Sequence, residues 1–180
     1  EDSLSQDFET ICEIALDQLR SVEDKLMCYG LTPKHGPGAV SIPSKQNAKW
    51  VWRSWPERLQ TYFPFDLYAD VSLENIQHRI GQVEFPTPEH ETPVRVIHVP
   101  KTLKTPRIIA IEPTAMQYCQ QALMREFYES VGVDGILANV RFRDQTVNGR
   151  IAKSSSRDGR QATLDLSEAS DRVTVSLVKQ

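Results

Sequence analysis

The sequence lacks the features that mark disulfide-rich, membrane-spanning or zinc-binding proteins. Its three cysteines are odd in number and widely spaced, and no Cys-x-x-Cys pair occurs, so neither a disulfide framework nor a zinc site is indicated. No apolar run is long enough to cross a bilayer, and residues 1–20 are acidic where a signal peptide would be basic. We therefore expect reduced thiols, no membrane partner and a cytoplasmic location.

Several catalytic motifs are absent as well. The sequence contains no Gly-x-x-x-x-Gly-Lys-Ser/Thr phosphate-binding loop and no His-Glu-x-x-His motif of zinc hydrolases. A calcium-binding loop that began at Asp165 would need Gly and Glu where Ser170 and Ser176 stand. The lone histidines are therefore interpreted as structural or surface residues.

An overall basic charge is also missing, since the net charge is -3 at pH 7, which alone argues against a nucleic-acid partner. The charge is strongly segregated, however. Residues 92–111 carry four basic side chains and no acidic one: Arg95, Lys101, Lys104 and Arg107. Residues 141–160 carry a second basic set, namely Arg141, Arg143, Arg150, Lys153, Arg157 and Arg160. We expect any polyanion to bind at these two segments.

The order of predicted elements indicates an α+β protein that is rich in helix. Apolar residues at three- and four-residue steps predict one helix over 4–28, and Pro113 opens a second over 114–131. The β-branched runs 94–99 and 107–111 predict a hairpin with a basic loop. Residues 161–166 predict a last strand, followed by a helix that Ser170 caps and Asp171 begins. Three nearby tryptophans are interpreted as packing residues rather than stacking platforms: Trp50, Trp52 and Trp55.

Two carboxylates stand close together near the end of the sequence, in the stretch ATLDLSEASDRV. In a strand, alternation places Asp165 on the face opposite Leu164 and Leu166. A carboxylate held there needs a cation or a donor, and Mg²⁺ typically takes one or two protein carboxylates. A helix-capping or hydrogen-bonding aspartate remains the alternative.

The hairpin loop offers the complementary charge. Lys101, Lys104 and Arg107 lie three residues apart, so their charges can converge on one triphosphate. A metal held by aspartate and cations on the phosphates are the main needs of phosphoryl transfer. The alternative is that the loop is merely solvated.

Three stretches carry a family resemblance: VPKTLKTPRIIAIEPTAMQYCQQAL (99–123), DQTVNGRIA (144–152) and ATLDLSEASDRV (162–173), with GPGA at 36–39 in support. They resemble the RNA-dependent RNA polymerases of positive-strand RNA bacteriophages, the levivirus replicases. The resemblance implies a partial right-handed polymerase fold, in which fingers with a basic β-hairpin precede the first palm strand. It implies an N-terminal helical and loop region over 1–93, fingers over 94–160, and the start of the palm over 161–180.

The same resemblance assigns roles to individual residues. Asp165 is implied to be the first catalytic metal ligand of a two-Mg²⁺ site, and Asp171 to lie near the ribose 2′-hydroxyl. Lys101, Lys104 and Arg107 are implied to grip the incoming nucleoside triphosphate. The implied partners are RNA template, RNA product and NTPs, with host proteins as candidate further subunits, in the cytoplasm of a bacterial host.

The sequence departs from this family in one respect, because the Gly-Asp-Asp motif with the other metal-binding aspartates is absent. We therefore expect the N-terminal part of a longer replicase that is inactive alone. Two other functions stay open: a non-catalytic RNA- or nucleotide-binding module, and a structural interaction domain.

Overall fold

The computed structural model describes residues 2–17, 19–43, 48–69, 81–100, 106–131, 136–167 and 169–178. The chain is α+β, as predicted, and divides into two compact units, residues 1–140 and 141–180. The predicted boundaries near residues 93 and 160 stay predictions. Among the described residues, no helix is both long and apolar enough to cross a membrane.

The N-terminal segment forms two helices instead of the one predicted over 4–28. Helix α1 spans Asp2–Asp17 and α2 spans Arg20–Met27. Leu19 leaves helical geometry with φ -96° and ψ 3°, and its N–H donates to the Leu16 carbonyl at 2.8 Å, a tighter turn than the α-helix allows. The apolar spacing continues across this break, so periodicity alone does not reveal it.

The core of the first unit forms around one long helix. Helix α3 is a single turn at Phe65–Tyr68, and α4 spans Thr114–Ser130, where Pro113 precedes the first turn as predicted. One face of α4 buries Ala115, Tyr118, Cys119 and Ala122, at the three- and four-residue spacing of a helix stripe. These side chains pack in one cluster with Leu31, Trp55, Phe63 and Phe65.

Trp55 is the centre of this cluster and is fully buried. Its indole N–H donates to the Phe63 carbonyl at 3.0 Å, and its ring meets Trp52 and Phe65 edge-on. Trp52 is half-buried and donates to the Ala69 carbonyl at 2.9 Å. The packing interpretation therefore holds for Trp52 and Trp55, whereas Trp50 is 61% exposed.

The predicted hairpin is confirmed. Strands β1 (Arg95–Pro100) and β2 (Pro106–Ile111) pair antiparallel, with Arg95 opposite Ile111 and Pro100 opposite Pro106. The described ladder ends at this proline pair, and proline has no N–H to donate to a ladder. Residues 101–105 of the connecting loop lie outside the described residues.

The second unit contains one longer helix and a largely exposed segment. Helix α5 spans Thr146–Asp158, where Asp144 accepts from the Thr146 N–H at 2.9 Å and from its hydroxyl at 2.6 Å. Gly159 follows in the left-handed conformation, φ 66°, which glycine adopts without steric cost. Helix α6 is a short turn at Val175–Val178.

The prediction of a strand over 161–166 is wrong for this structure. These residues have no regular secondary structure, and Leu164 and Leu166 are 86% and 76% exposed. A strand needs a neighbour for its backbone hydrogen bonds, and no described segment pairs with this one. The helix predicted from Asp171 is also shorter than expected, because Ser170–Arg172 forms a single 3-10 turn.

Candidate functional site

Of the three predicted triphosphate-binding residues, Arg107 is the one that lies among the described residues, on the hairpin. Arg107 lies on β2 opposite Val99, one pair from the proline pair that ends the ladder, and is exposed. Lys101 and Lys104 fall in the loop outside the described residues. The pairing of β2 fixes the backbone that carries Arg107, and its exposed guanidinium is a cation that a phosphate can reach.

Asp165 and Asp171 both belong to the second unit and are exposed. Asp165 lies in the irregular segment between two exposed leucines, and Asp171 lies in the turn Ser170–Arg172. Nowhere in the described ranges do three or more His, Cys, Asp or Glu side chains cluster as a metal cage would require. An accessible single carboxylate still fits Mg²⁺, which commonly takes one or two carboxylates and completes its shell with water and phosphate oxygens.

The predicted site residues belong to different units. Arg107 belongs to residues 1–140, and both aspartates belong to residues 141–180. The first unit supplies an exposed cation on a paired strand, and the second unit supplies an exposed carboxylate that is accessible to a metal. Each group has a chemistry that the binding of a metal–nucleotide complex uses.

The second basic segment, residues 141–160, places three of its basic side chains on one helix. Arg150, Lys153 and Arg157 all lie on α5 and are exposed. Their spacing of three and four residues places them along one face of the helix. Such a row suits contacts with successive backbone phosphates of a nucleic acid.

One cluster was missed by reasoning from the sequence. The His35 ring packs against Trp50, Trp52 and Tyr118, with ring centroids 4.4, 5.2 and 4.7 Å away. Beside it, the Lys49 ammonium donates to the carbonyls of Gly36 and Gly38 at 2.9 and 2.5 Å. The GPGA stretch at 36–39 and the WVW stretch at 50–52 were the sequence signals for this cluster. The spacing of residues along the chain does not predict their contact with Tyr118.

His35 is expected to make stability depend on pH. Burial first, and the Lys49 charge second, lower the pKa of His35 below its ordinary value of 6.5. In the unfolded chain His35 gains a proton as the pH falls through 6.5, while in the folded chain it stays neutral to a lower pH. This contribution to stability is therefore complete above pH 6.5 and is lost as the pH falls toward the folded-state pKa.

Thermal melting between about pH 8 and pH 5 tests this dependence. The melting temperature of His35→Phe, which keeps an aromatic ring, should fall less on acidification than that of the native chain. His98→Gln is the matched control, because His98 is exposed on β1. If the melting temperatures of His35→Phe and of the native chain fell equally on acidification, His35 would not be the source of the pH dependence.

The comparisons with known proteins place these elements in a family. Residues 72–180 match the family described as RNA replicase, beta-chain, and this match includes the hairpin, α4, α5 and both aspartates. The chain therefore belongs to the RNA replicase beta-chain family, as the resemblance indicated.

Individual relatives agree with this assignment. The RNA-directed RNA polymerase beta chains of Enterobacteria phage fr and Escherichia phage MS2 are each 40% identical over 86 residues, which is 46% of this chain and 14% of theirs. The RNA-directed RNA polymerase subunit beta of Escherichia virus Qbeta is 36% identical over 89 residues, 46% of this chain and 13% of its own. The matched part of the chain thus spans about 14% of the length of these relatives. No solved structure matches the chain at a significant level.

Proposed function

We propose that this chain is part of an RNA-directed RNA polymerase of a positive-strand RNA phage. The observation that carries the proposal is the family match over residues 72–180, which contains the basic hairpin and the Asp165–Asp171 pair in one stretch. Separately, the relatives to which the chain is similar are named RNA-directed RNA polymerase chains. The reaction is the template-directed transfer of a nucleoside monophosphate from an NTP to an RNA 3′-hydroxyl, with release of pyrophosphate.

In this proposal the first 93 residues form a helical and loop region associated with the fingers. Residues 94–160 belong to the fingers, with the hairpin along the path of the incoming nucleotide, and 161–180 open the palm. Leu164 and Leu166 are exposed, and large apolar side chains favour burial. Their exposure supports a palm segment that further protein of the replicase covers. The row on α5 contacts the RNA backbone.

Each candidate residue has a separate task. Arg107, together with Lys101 and Lys104, binds the triphosphate and orients it through charge-assisted hydrogen bonds. Asp165 holds Mg²⁺, and Asp171 accepts a hydrogen bond from the ribose 2′-hydroxyl, the group that distinguishes RNA from DNA precursors. Magnesium in such a site stabilises the attacking and leaving oxygens as a Lewis acid.

The remaining metal ligands are proposed to lie outside these 180 residues, because the sequence has no Gly-Asp-Asp. The isolated chain is accordingly proposed to be inactive in polymerisation. RNA template, RNA product and NTPs are the proposed partners, with host proteins as candidate further subunits in the cytoplasm of the bacterial host.

Replacing Arg107 with Ala tests the nucleotide role in a replicase that carries this chain. We expect the KM for NTP to rise roughly tenfold to a hundredfold, since a hydrogen bond to a charged group contributes about 1.5–3 kcal/mol. Arg107→Lys should recover part of the loss, because it restores the charge without the planar fork.

Arg20→Ala is the matched control for this variant. Arg20 is an exposed arginine that pairs with Asp17 at 2.7 Å, outside the family match, and its loss should leave KM unchanged. An unchanged KM in Arg107→Ala would refute the role of the hairpin in binding the triphosphate.

A further inference from the structure

A cavity lies in the first unit, beside the GPGA loop. It has a volume of about 440 Å³ and is lined by the loop residues together with His35, Lys49, Trp50 and Arg95. Small-molecule sites typically fall between about 300 and 1,000 Å³, so one nucleotide unit fits this size. Of its lining residues only Arg95 lies within the family match, and neither Asp165 nor Arg107 is among them.

One wall of the cavity is an aromatic ring that is exposed and yet held in place. Trp50 ends the 3-10 turn Ala48–Trp50 and is 61% exposed. Its ring meets His35 at 82°, and His35 in turn stacks on Trp52 at 26°. Trp52 packs against the fully buried Trp55, so the wall is anchored in the core. A flat ring that is fixed and accessible suits stacking with an unpaired base.

The rest of the cavity is cationic. Lys49 Nζ donates to the Gly36 and Gly38 carbonyls, which holds the ammonium in place and, among the described residues, leaves one of its three donors. One Arg95 amino group donates to the Val40 carbonyl at 3.3 Å, and toward the described part of the chain most of the five guanidinium donors remain for a ligand. None of the described residues that line the cavity is acidic. The electrostatic field in the cavity therefore favours an anion such as phosphate.

His35 supports the aromatic wall of this site. Its Nε2 atom is buried and has no hydrogen-bond partner within the part of the chain that the structure describes. The ring of His35 lines the cavity together with Trp50.

We propose that this cavity binds one unpaired ribonucleotide unit, with its base stacked on Trp50 and its phosphate on Lys49 and Arg95. The site is separate from the proposed polymerase chemistry, because it uses neither Asp165 nor Arg107. The same chemistry is present in a free nucleotide and in a single-stranded RNA.

Binding of labelled hexauridylate by fluorescence anisotropy, and of UMP by tryptophan quenching, tests the proposal on the full chain. Trp50→Ala should weaken binding by roughly tenfold or more, because stacking on an aromatic side chain contributes substantially per base. Trp50→Phe, which keeps a ring, should retain most of the anisotropy-measured affinity. Arg95→Gln should reduce the slope of log K against log salt by about 1, as expected for one lost phosphate contact.

The matched control is Tyr62→Ala, since Tyr62 is an exposed aromatic residue that does not line the cavity. Its affinity should equal that of the native chain. Equal affinities for UMP and hexauridylate would identify a free-nucleotide site, and selective binding of hexauridylate would identify an RNA-strand site. In both cases Trp50→Ala must lose the binding.

The proposal is overturned if neither ligand binds saturably. It is also overturned if Trp50→Ala melts like the native chain and binds hexauridylate with unchanged affinity. Asp165→Asn should leave this binding intact, so a failure here is distinguishable from a failure of the proposed polymerase function.

Discussion

Replacing Asp165 with Asn is expected to abolish RNA synthesis by a replicase that carries this chain. A metal that acts as a Lewis acid contributes several kcal/mol to transition-state stabilisation, and about 1.36 kcal/mol corresponds to a tenfold change in rate. Loss of its carboxylate ligand should therefore lower kcat by about a thousandfold or more. Raising the Mg²⁺ concentration should recover only part of the rate, since the amide does not carry the carboxylate charge.

The position of Asp165 makes this experiment easy to interpret. The residue is exposed, so the substitution should leave the melting temperature nearly unchanged. Asp158→Asn is the matched control, because Asp158 lies in the same unit and pairs weakly with Arg160 at 3.9 Å. This control should retain full activity.

The outcome also separates the two alternative functions. A non-catalytic RNA-binding module would keep or improve its RNA affinity in Asp165→Asn, because a negative charge is removed. A structural interaction domain would show only an effect on melting. Incorporation of nucleotides at the native rate by Asp165→Asn would contradict the role of Asp165 as a metal ligand.

Replacing Trp55 with Ala is expected to destabilise the first unit by about 3–5 kcal/mol, the range typical of large aromatic residues removed from a core. Trp55 is 0% exposed, and its loss would leave the Phe63 carbonyl without its indole donor. The cavity would open beside Trp52 and Phe65, which both pack edge-on against the missing ring. A loss of this size is a large part of the stability of a typical domain.

Urea unfolding followed by circular dichroism measures this effect. Trp50→Ala is the internal comparison, because the same residue type is removed from a 61% exposed position, and the change should be within about 0.5 kcal/mol. Equal losses in the two variants would contradict the assignment of Trp55 to the centre of the core.

The elements that were predicted correctly are those whose signals are local. Two β-branched runs on either side of a loop bounded by prolines indicated the hairpin. Pro113 and a continuous apolar stripe indicated α4. Both signals lie within the element itself. The family resemblance was likewise carried by short stretches that needed no tertiary information.

Two of the failures share a physical cause, because long-range contacts decide the result there, and the third is a local break. Residues 161–166 have the alternating apolar pattern of a strand, but a strand requires a pairing partner that the local sequence does not specify. The cluster around His35 joins residues 35, 50, 52 and 118, which only the folded chain brings together. The break between α1 and α2 leaves the apolar spacing intact and is therefore invisible to periodicity.

The central proposal is that Asp165 holds a metal in a replicase that carries this chain. Ferrous iron in place of magnesium generates hydroxyl radicals with peroxide and cuts the polypeptide close to the bound ion, so it maps the metal site directly. In a replicase that carries this chain, with template and NTP bound, we predict cleavage around residue 165 that is lost in Asp165→Asn. Cleavage that misses this segment, or that persists unchanged in Asp165→Asn, would contradict the proposal.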